Sequence, residues 1–161
     1  MIIRGIYGDY YHAAAPYVRA LKKALDGVDA TIEGVYYPTS FDVGILHGCD
    51  VLILCKEGVV PGSKDIQHRW MDRAGEEAVE RFVSRGGRLF GWHSGLASYD
   101  PDGPIHAMYG GHFRGHPPQH EFELRPVAGQ DGPCDIGEPY RMSDELYRFS
   151  DIHDRAPTFA V

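Results

Sequence analysis

The segment DVLILC, residues 50–55, places five apolar side chains in a row after its aspartate. A strand with one face in water alternates polar and apolar residues, whereas a strand covered on both faces is apolar throughout. The segment therefore predicts a central strand of a parallel sheet that carries helices on both faces. Three other segments are expected to be parallel strands of the same sheet, namely residues 1–7, 30–37 and 88–92.

Helical patterns separate these strands. Pro16 suits the first turn of a helix, apolar residues follow it at helical spacing, and Gly27 is a C-terminal cap. Residues 76–85 form an amphipathic pattern with a buried stripe and end at a glycine pair, and residues 40–48 suit a short helix or turn. The alternation predicts an α/β fold with a doubly wound parallel sheet, in a single domain over residues 1–161.

The pattern changes after residue 100. The segment PDGPIHAMYGGHF predicts a short helix within a loop, and HEFELRPV alternates like a strand. The segment DELYRF is expected to start a helical turn, with Asp144 near its N-cap.

Composition excludes several classes of function. The net charge is −7 and no basic face is evident, so nucleic-acid binding is not expected. No apolar run approaches the roughly 20 residues of a membrane helix, and no glycine-rich fingerprint follows the first strand, so neither a membrane nor a nucleotide cofactor is expected. Three cysteines without paired spacing, Cys49, Cys55 and Cys134, predict reduced thiols and a cytoplasmic protein.

The segment GWHSG, residues 91–95, lies where the fourth strand ends, which is the edge at which open α/β sheets bind ligands. It resembles a nucleophile elbow, but the third position holds His93 and the serine, Ser94, stands fourth. Without a cysteine in the third position, glutamine hydrolysis is not expected. We expect His93 to be the functional residue; the alternative is that its ring only bonds to nearby backbone.

Further candidates follow the elbow. Five of the nine histidines fall within 28 residues, and His112, His116 and His120 stand four apart, but glycines and prolines between them argue against a helical metal site. Glu145 is a candidate ligand or general acid–base, or else a surface carboxylate. Three tyrosines could line a sugar pocket or belong to the core: Tyr99, Tyr109 and Tyr147.

Three segments in order, GGRLFGWHSGL, YGGHFRGHP and DELYRF, together resemble the trehalose-utilisation (ThuA-like) family. The resemblance implies a flavodoxin-like fold of the class I glutamine-amidotransferase type, with histidine where amidotransferases carry cysteine. It also implies a role in the metabolism of sugars or oxidised sugars. By matched position, His93, His116 and Glu145 are the leading site residues, and Ser94 and His112 come second.

Two functions remain open from the sequence. In the first, the chain is a hydrolase or lyase acting on a sugar derivative, with His93, Glu145 and Ser94 catalytic and Tyr109 and His112 binding substrate. A divalent metal, zinc, would be held by His93, His116 and Glu145. In the second, the domain binds a ligand or serves as a scaffold without chemistry.

The family usually continues beyond DELY into a further strand and a segment of the type GxGRVFY…GH, whereas this sequence stops at DRAPTFAV. We therefore expect either an open sheet edge, which a homo-oligomer would cover, or an incomplete pocket.

Overall fold

The computed structural model describes residues 1–60, 68–125 and 138–150. The chain divides into two compact units, Met1–Tyr109 and Gly110–Val161. The prediction of a single domain over residues 1–161 stays a prediction.

The first unit contains a four-stranded parallel sheet. Its strands are β1 (Ile2–Tyr7), β2 (Thr31–Tyr36), β3 (Val51–Cys55) and β4 (Arg88–Gly91), arranged in the order β2-β1-β3-β4. This order, in which the chain moves first to one side of β1 and then to the other, is that of flavodoxin-like sheets. The predicted doubly wound α/β fold and the positions of its four strands are confirmed.

Strand β3 is buried on both faces, as its unbroken apolar sequence predicts. On one face, Leu52 and Leu54 pack against α2 (Arg73–Ser84) and α3 (Pro104–Tyr109). On the other face, Ile53 and Cys55 pack against α1 (Ala14–Ala24). All four side chains are at most 3% exposed.

The ends of helix α2 are set by capping residues that the apolar periodicity of the sequence does not reveal. Helix α2 begins at Arg73, three residues before the predicted start at residue 76, because the Asp72 side chain accepts the N–H of Gly75 at 2.8 Å. Such an N-cap stabilises a helix by about 1 kcal/mol, and it lies outside the apolar stripe on which the prediction rested. Gly86 follows the helix with φ +98°, where glycine is favoured. Residues 40–48 contain the expected short element, a 3₁₀ turn at Val43–Leu46.

The second unit contains two antiparallel strand pairs. Strand β5 (His112–Gly115) pairs with β8 (Arg148–Ser150), and β6 (His120–Leu124) pairs with β7 (Tyr140–Asp144). The strand predicted in HEFELRPV is therefore confirmed.

The helical turn predicted in DELYRF is wrong. Asp144 is the last residue of β7, and its carboxylate accepts the N–H of Glu145 at 2.8 Å. The chain then enters β8, and Tyr147 and Phe149 both pack on Phe113, with ring centroids 4.4 and 6.2 Å away. Aromatic packing across this strand pair thus outweighs the local preference for a turn.

Within the described ranges, none of the helices combines the length and the hydrophobicity that a membrane-spanning helix requires.

Candidate functional site

The loops after β1 and β4 meet at the carboxyl edge of the parallel sheet, at the end of β3. The loop after β1 donates from the N–H of Gly8 to the carbonyl of Cys55 at 3.3 Å, and the loop after β4 donates from the N–H of Trp92 to the carbonyl of Leu54 at 2.8 Å. Both loops are therefore tied to the end of β3. In a sheet of this order, the edge between β1 and β3 is the switch point at which ligands bind.

The segment GWHSG forms a tight strand-to-turn connection. His93 begins a 3₁₀ turn (His93–Leu96) with φ +51°, in the left-handed region that side chains rarely adopt. A Cβ atom on Gly95 would collide with the carbonyl oxygen of Leu54, and one on Gly91 would lie 2.6 Å from Cδ2 of Leu96. Gly95 thus permits the close approach of this turn to β3, and Gly91 leaves room for the Leu96 side chain.

The turn sends His93 and Ser94 in different directions. Ser94 is 2% exposed, and its Oγ lies 3.5 Å from the hydroxyl of Tyr17 on α1. The Nε2 atom of His93 lies 3.1 Å from Nε2 of His12, in the loop after β1. The two imidazole rings are 4.7 Å apart and nearly perpendicular, at 87°. The structure therefore adds a functional candidate, His12, that the sequence reasoning missed.

Asp9 holds His12 in this position. Its side chain is fully buried, and Oδ1 accepts Nδ1 of His12 at 2.8 Å and the backbone N–H groups of Tyr11 and His12 at 3.0 and 2.8 Å. Its Oδ2 accepts the N–H of Glu57 at 3.2 Å. Burial alone would raise the pKa of Asp9, but hydrogen bonds from His12 and Ser94 and the other polar contacts outweigh it and lower the pKa to about 2.

The ionised Asp9 fixes the tautomer of His12. A carboxylate can only accept, so Nδ1 of His12 carries the proton that it donates to Asp9. In the neutral ring, Nε2 then bears the lone pair, directed toward His93. A carboxylate behind an imidazole in this way is the usual support of a histidine that binds a metal.

Glu57 adds a second carboxyl group to the same edge. Burial raises its pKa, and the charge of Asp9 raises it further, while Lys56 and His12 partly oppose the shift. The side chain of Glu57 therefore keeps its proton to a higher pH than an exposed glutamate does. Like His12, Glu57 was not identified from the sequence.

The second unit brings together two of the predicted site residues. Nε2 of His116 lies 3.5 Å from Oε2 of Glu145, and both side chains are about one-third exposed. The His116 ring stacks on Tyr147, with centroids 5.5 Å apart and planes inclined by 14°. His112 lies in β5. The predicted metal set of His93, His116 and Glu145 draws on both units and stays a prediction.

The predicted sugar pocket of tyrosines is not supported at Tyr99, which is a core residue. It is 6% exposed and donates its hydroxyl to the carbonyl of Lys56 at 2.8 Å. The ring of Tyr109 lies 6.4 Å from that of Tyr99, and its buried hydroxyl has no hydrogen-bond partner among the described residues. Burial raises the pKa of Tyr109 well above its ordinary value. Its role in substrate binding stays a prediction.

The described cysteines are free thiols. Cys55 is fully buried, and burial raises its pKa to about 12. Cys49 is half-buried and donates its Sγ–H to the carbonyl of Val51 at 3.1 Å. Since the thiolate is the nucleophile of a cysteine enzyme, Cys55 is unsuited to that role. Cys134 lies outside the described residues.

The sequence model of the ThuA family, described as trehalose utilisation, matches residues 5–161. The chain belongs to the ThuA family. A ThuA-like protein from Bacteroides uniformis, known from a crystal structure, superposes with a TM-score of 0.61 at 17% sequence identity. That comparison covers 92% of the present chain but only 61% of the other protein, so this ThuA-family chain spans less than two-thirds of the length of that structural relative. At this identity the similarity is one of fold. No protein with a curated description matches the chain.

Proposed function

We propose that this ThuA-family chain is an enzyme that acts on a carbohydrate derivative through a divalent metal ion held by His12 and His93. The observation that carries the proposal is the separation of 3.1 Å between the two Nε2 atoms, with the buried Asp9 behind His12. The family description, trehalose utilisation, supports a sugar as the class of substrate.

The geometry of the histidine pair fits zinc. Two zinc–nitrogen bonds of about 2.0–2.1 Å that meet at a tetrahedral angle hold their nitrogens about 3.3 Å apart. The observed separation of 3.1 Å is close to this value. Catalytic zinc sites usually combine three protein ligands with one open position, so the two imidazoles would supply part of the ligand set and leave room for a further ligand, water and substrate. The bound ion would supply Lewis-acid chemistry toward water or a sugar oxygen.

The residues around the pair suit a hydrolase or a lyase. Both reactions require a proton for the departing oxygen, and Glu57, whose pKa is raised by burial, is the proposed donor. Asp9 orients His12 and stays ionised. The buried Ser94 contacts Tyr17 and hydrogen-bonds to Asp9, so we assign it to support of Asp9 rather than to nucleophilic attack.

A scaffold without chemistry is the weaker alternative. The left-handed backbone of His93 costs on the order of 1–2 kcal/mol relative to glycine. Strained backbone of this kind is concentrated at functional sites, which favours a functional turn over a scaffold.

Zinc titration of the metal-stripped chain by calorimetry tests the metal site. We expect His12→Ala and His93→Ala each to weaken zinc binding at least about tenfold, and Asp9→Asn to weaken it by about 10–100-fold through loss of the support of His12. His47→Ala is the matched control, because His47 is exposed and lies in a loop of the same unit. Ser94→Ala should keep most of the affinity. Wild-type zinc affinity in both His12→Ala and His93→Ala would reject the site.

Product analysis tests the chemistry. The wild-type chain, loaded with zinc, is incubated with trehalose and with oxidised disaccharides, and the products are separated by chromatography. We expect turnover that His93→Ala abolishes and that Glu57→Gln reduces. Turnover that survives His93→Ala, or a wild-type chain that converts none of these sugars, would contradict the proposed function.

A further inference from the structure

Two large aromatic side chains stand in solvent beside the histidine pair. Tyr10 is 67% exposed and Tyr11 is 74% exposed, directly between the buried Asp9 and His12. Neither tyrosine belongs to the hydrophobic core on either face of the sheet. Among the described residues, these two rings therefore contribute nothing to either face of the core.

The backbone that carries the two tyrosines is closed into a turn. The N–H of Asp9 donates to the carbonyl of His12 at 3.1 Å, and the Asp9 carboxylate accepts the N–H groups of Tyr11 and His12. The same buried carboxylate thus orders the turn and orients His12. As a result, the tyrosine rings are presented from a fixed backbone.

The rings continue into the proposed metal site. The centroids of Tyr10 and Tyr11 are 4.8 Å apart, those of Tyr11 and His12 are 6.3 Å apart, and those of His12 and His93 are 4.7 Å apart. Each neighbouring pair is inclined by at least 65°. Scattered apolar residues at a surface are ordinary, but an aromatic row that leads to a candidate reactive centre marks a ligand contact.

We propose that Tyr10 and Tyr11 form a subsite that holds a neutral sugar ring of the substrate next to His12 and His93. This inference rests on the proposed function. A pyranose has C–H groups on its faces and hydroxyl groups around its edge. The negative faces of the tyrosine rings match the C–H groups, and the phenolic hydroxyls can donate to or accept from the sugar hydroxyls.

The small extent of the row disfavours a protein partner, because a stable interface buries on the order of 800 Å² on each side, far more than two tyrosines offer. The ring faces and phenolic hydroxyls of Tyr10 and Tyr11 carry no formal charge, so they suit a neutral ligand.

The experiment follows the tyrosine ring signals by NMR in the full chain, with labelled tyrosine and without zinc, during titration with trehalose, maltose and glucose. We expect the signals of Tyr10 and Tyr11, assigned from their alanine variants, to shift with at least one sugar. Tyr10→Ala and Tyr11→Ala should each weaken that sugar's binding about tenfold, and the phenylalanine variants should keep most of it, since they keep the ring face. Tyr140→Ala is the matched control, because Tyr140 is 58% exposed and lies in β7.

The outcomes separate the subsite from the metal site. Tyrosine signals that shift with sugar, in a chain whose His12→Ala and His93→Ala variants bind zinc normally, would support the subsite and reject the metal site. If no sugar shifts either ring signal at millimolar concentrations, or if the alanine variants bind sugar like the wild type, the subsite is overturned. Shifts with adenosine but with none of the sugars would also overturn it, because the row would then serve another class of ligand.

Discussion

The left-handed backbone of His93 makes a prediction about stability that is independent of any ligand. With φ +51°, His93 occupies a region in which a Cβ atom approaches the following carbonyl oxygen. Glycine has no Cβ and escapes this conflict. We therefore expect His93→Gly to be more stable than His93→Ala, although both variants lose the same imidazole.

The expected difference follows from two opposing contributions. Relief of the left-handed strain favours glycine by about 1–2 kcal/mol. The larger freedom of glycine in the unfolded chain favours alanine by about 0.5–1 kcal/mol. The net expectation is that the free energy of unfolding of His93→Gly exceeds that of His93→Ala by roughly 0–1.5 kcal/mol, with a central value of about 0.75 kcal/mol. The order should reverse at the preceding residue, Trp92, whose φ of −118° is ordinary.

The assay is urea unfolding of four variants in the presence of a chelator, so that metal binding does not contribute. The comparison of glycine with alanine at each position cancels the loss of the native side chain. Trp92→Gly should be less stable than Trp92→Ala by about 0.5–1 kcal/mol, which makes position 92 the internal control. If alanine is also the more stable residue at position 93, the turn is unstrained, and the left-handed backbone of His93 gives no energetic support to a functional elbow.

Three further changes test other parts of the structure. Gly95→Ala should destabilise the chain by about 3 kcal/mol or more, because its Cβ would collide with the Leu54 carbonyl; near-normal urea unfolding would contradict the packing described for the turn. Glu76 is fully buried and burial raises its pKa, so its contribution to stability is present below the unfolded-state pKa of a glutamate and is lost as the pH rises through the folded-state pKa. The free energy of unfolding of Glu76→Gln, measured in urea, should therefore rise relative to that of the wild type between about pH 4 and about pH 8. The opposite trend would contradict a raised pKa. Cys55, with a pKa of about 12 and no exposed surface, should resist iodoacetamide in the native chain and react only after unfolding, as peptide mass mapping would show; rapid native alkylation would exclude its burial.

The parallel sheet was predictable because its signals are local and strong. The run DVLILC is apolar for as long as the strand lasts, and each helix before or after a strand carries its own stripe. The prediction failed where contacts between distant segments decide the structure. Asp144 at the start of DELYRF favours a helical turn, but packing of Tyr147 and Phe149 on Phe113, more than 30 residues earlier, favours the extended chain.

The candidate site was only half predictable. His93 was recognisable because glycines at both ends of GWHSG signal a tight turn. His12 has no such motif around it. Its importance comes from register, since β1 and β4 both neighbour β3, and the loops that follow them meet above its end. The sequence GDYYH directly after the first strand was the available signal: an aspartate and a histidine three residues apart at the ligand-binding edge.

The segment GWHSG is therefore best understood as a sequence that fixes the backbone conformation of the turn after β4. Gly91 and Gly95 are required by contacts with Leu96 and with the backbone of β3, whatever stands between them. The turn determines that the third residue adopts a left-handed backbone, but the chemistry depends on what that residue meets. Here it meets His12, which a buried and ionised Asp9 holds in place. On our proposal, a chain with the same turn but without Asp9 and His12 would lack the metal site, so the loop after β1 matters to the proposed chemistry as much as the turn does.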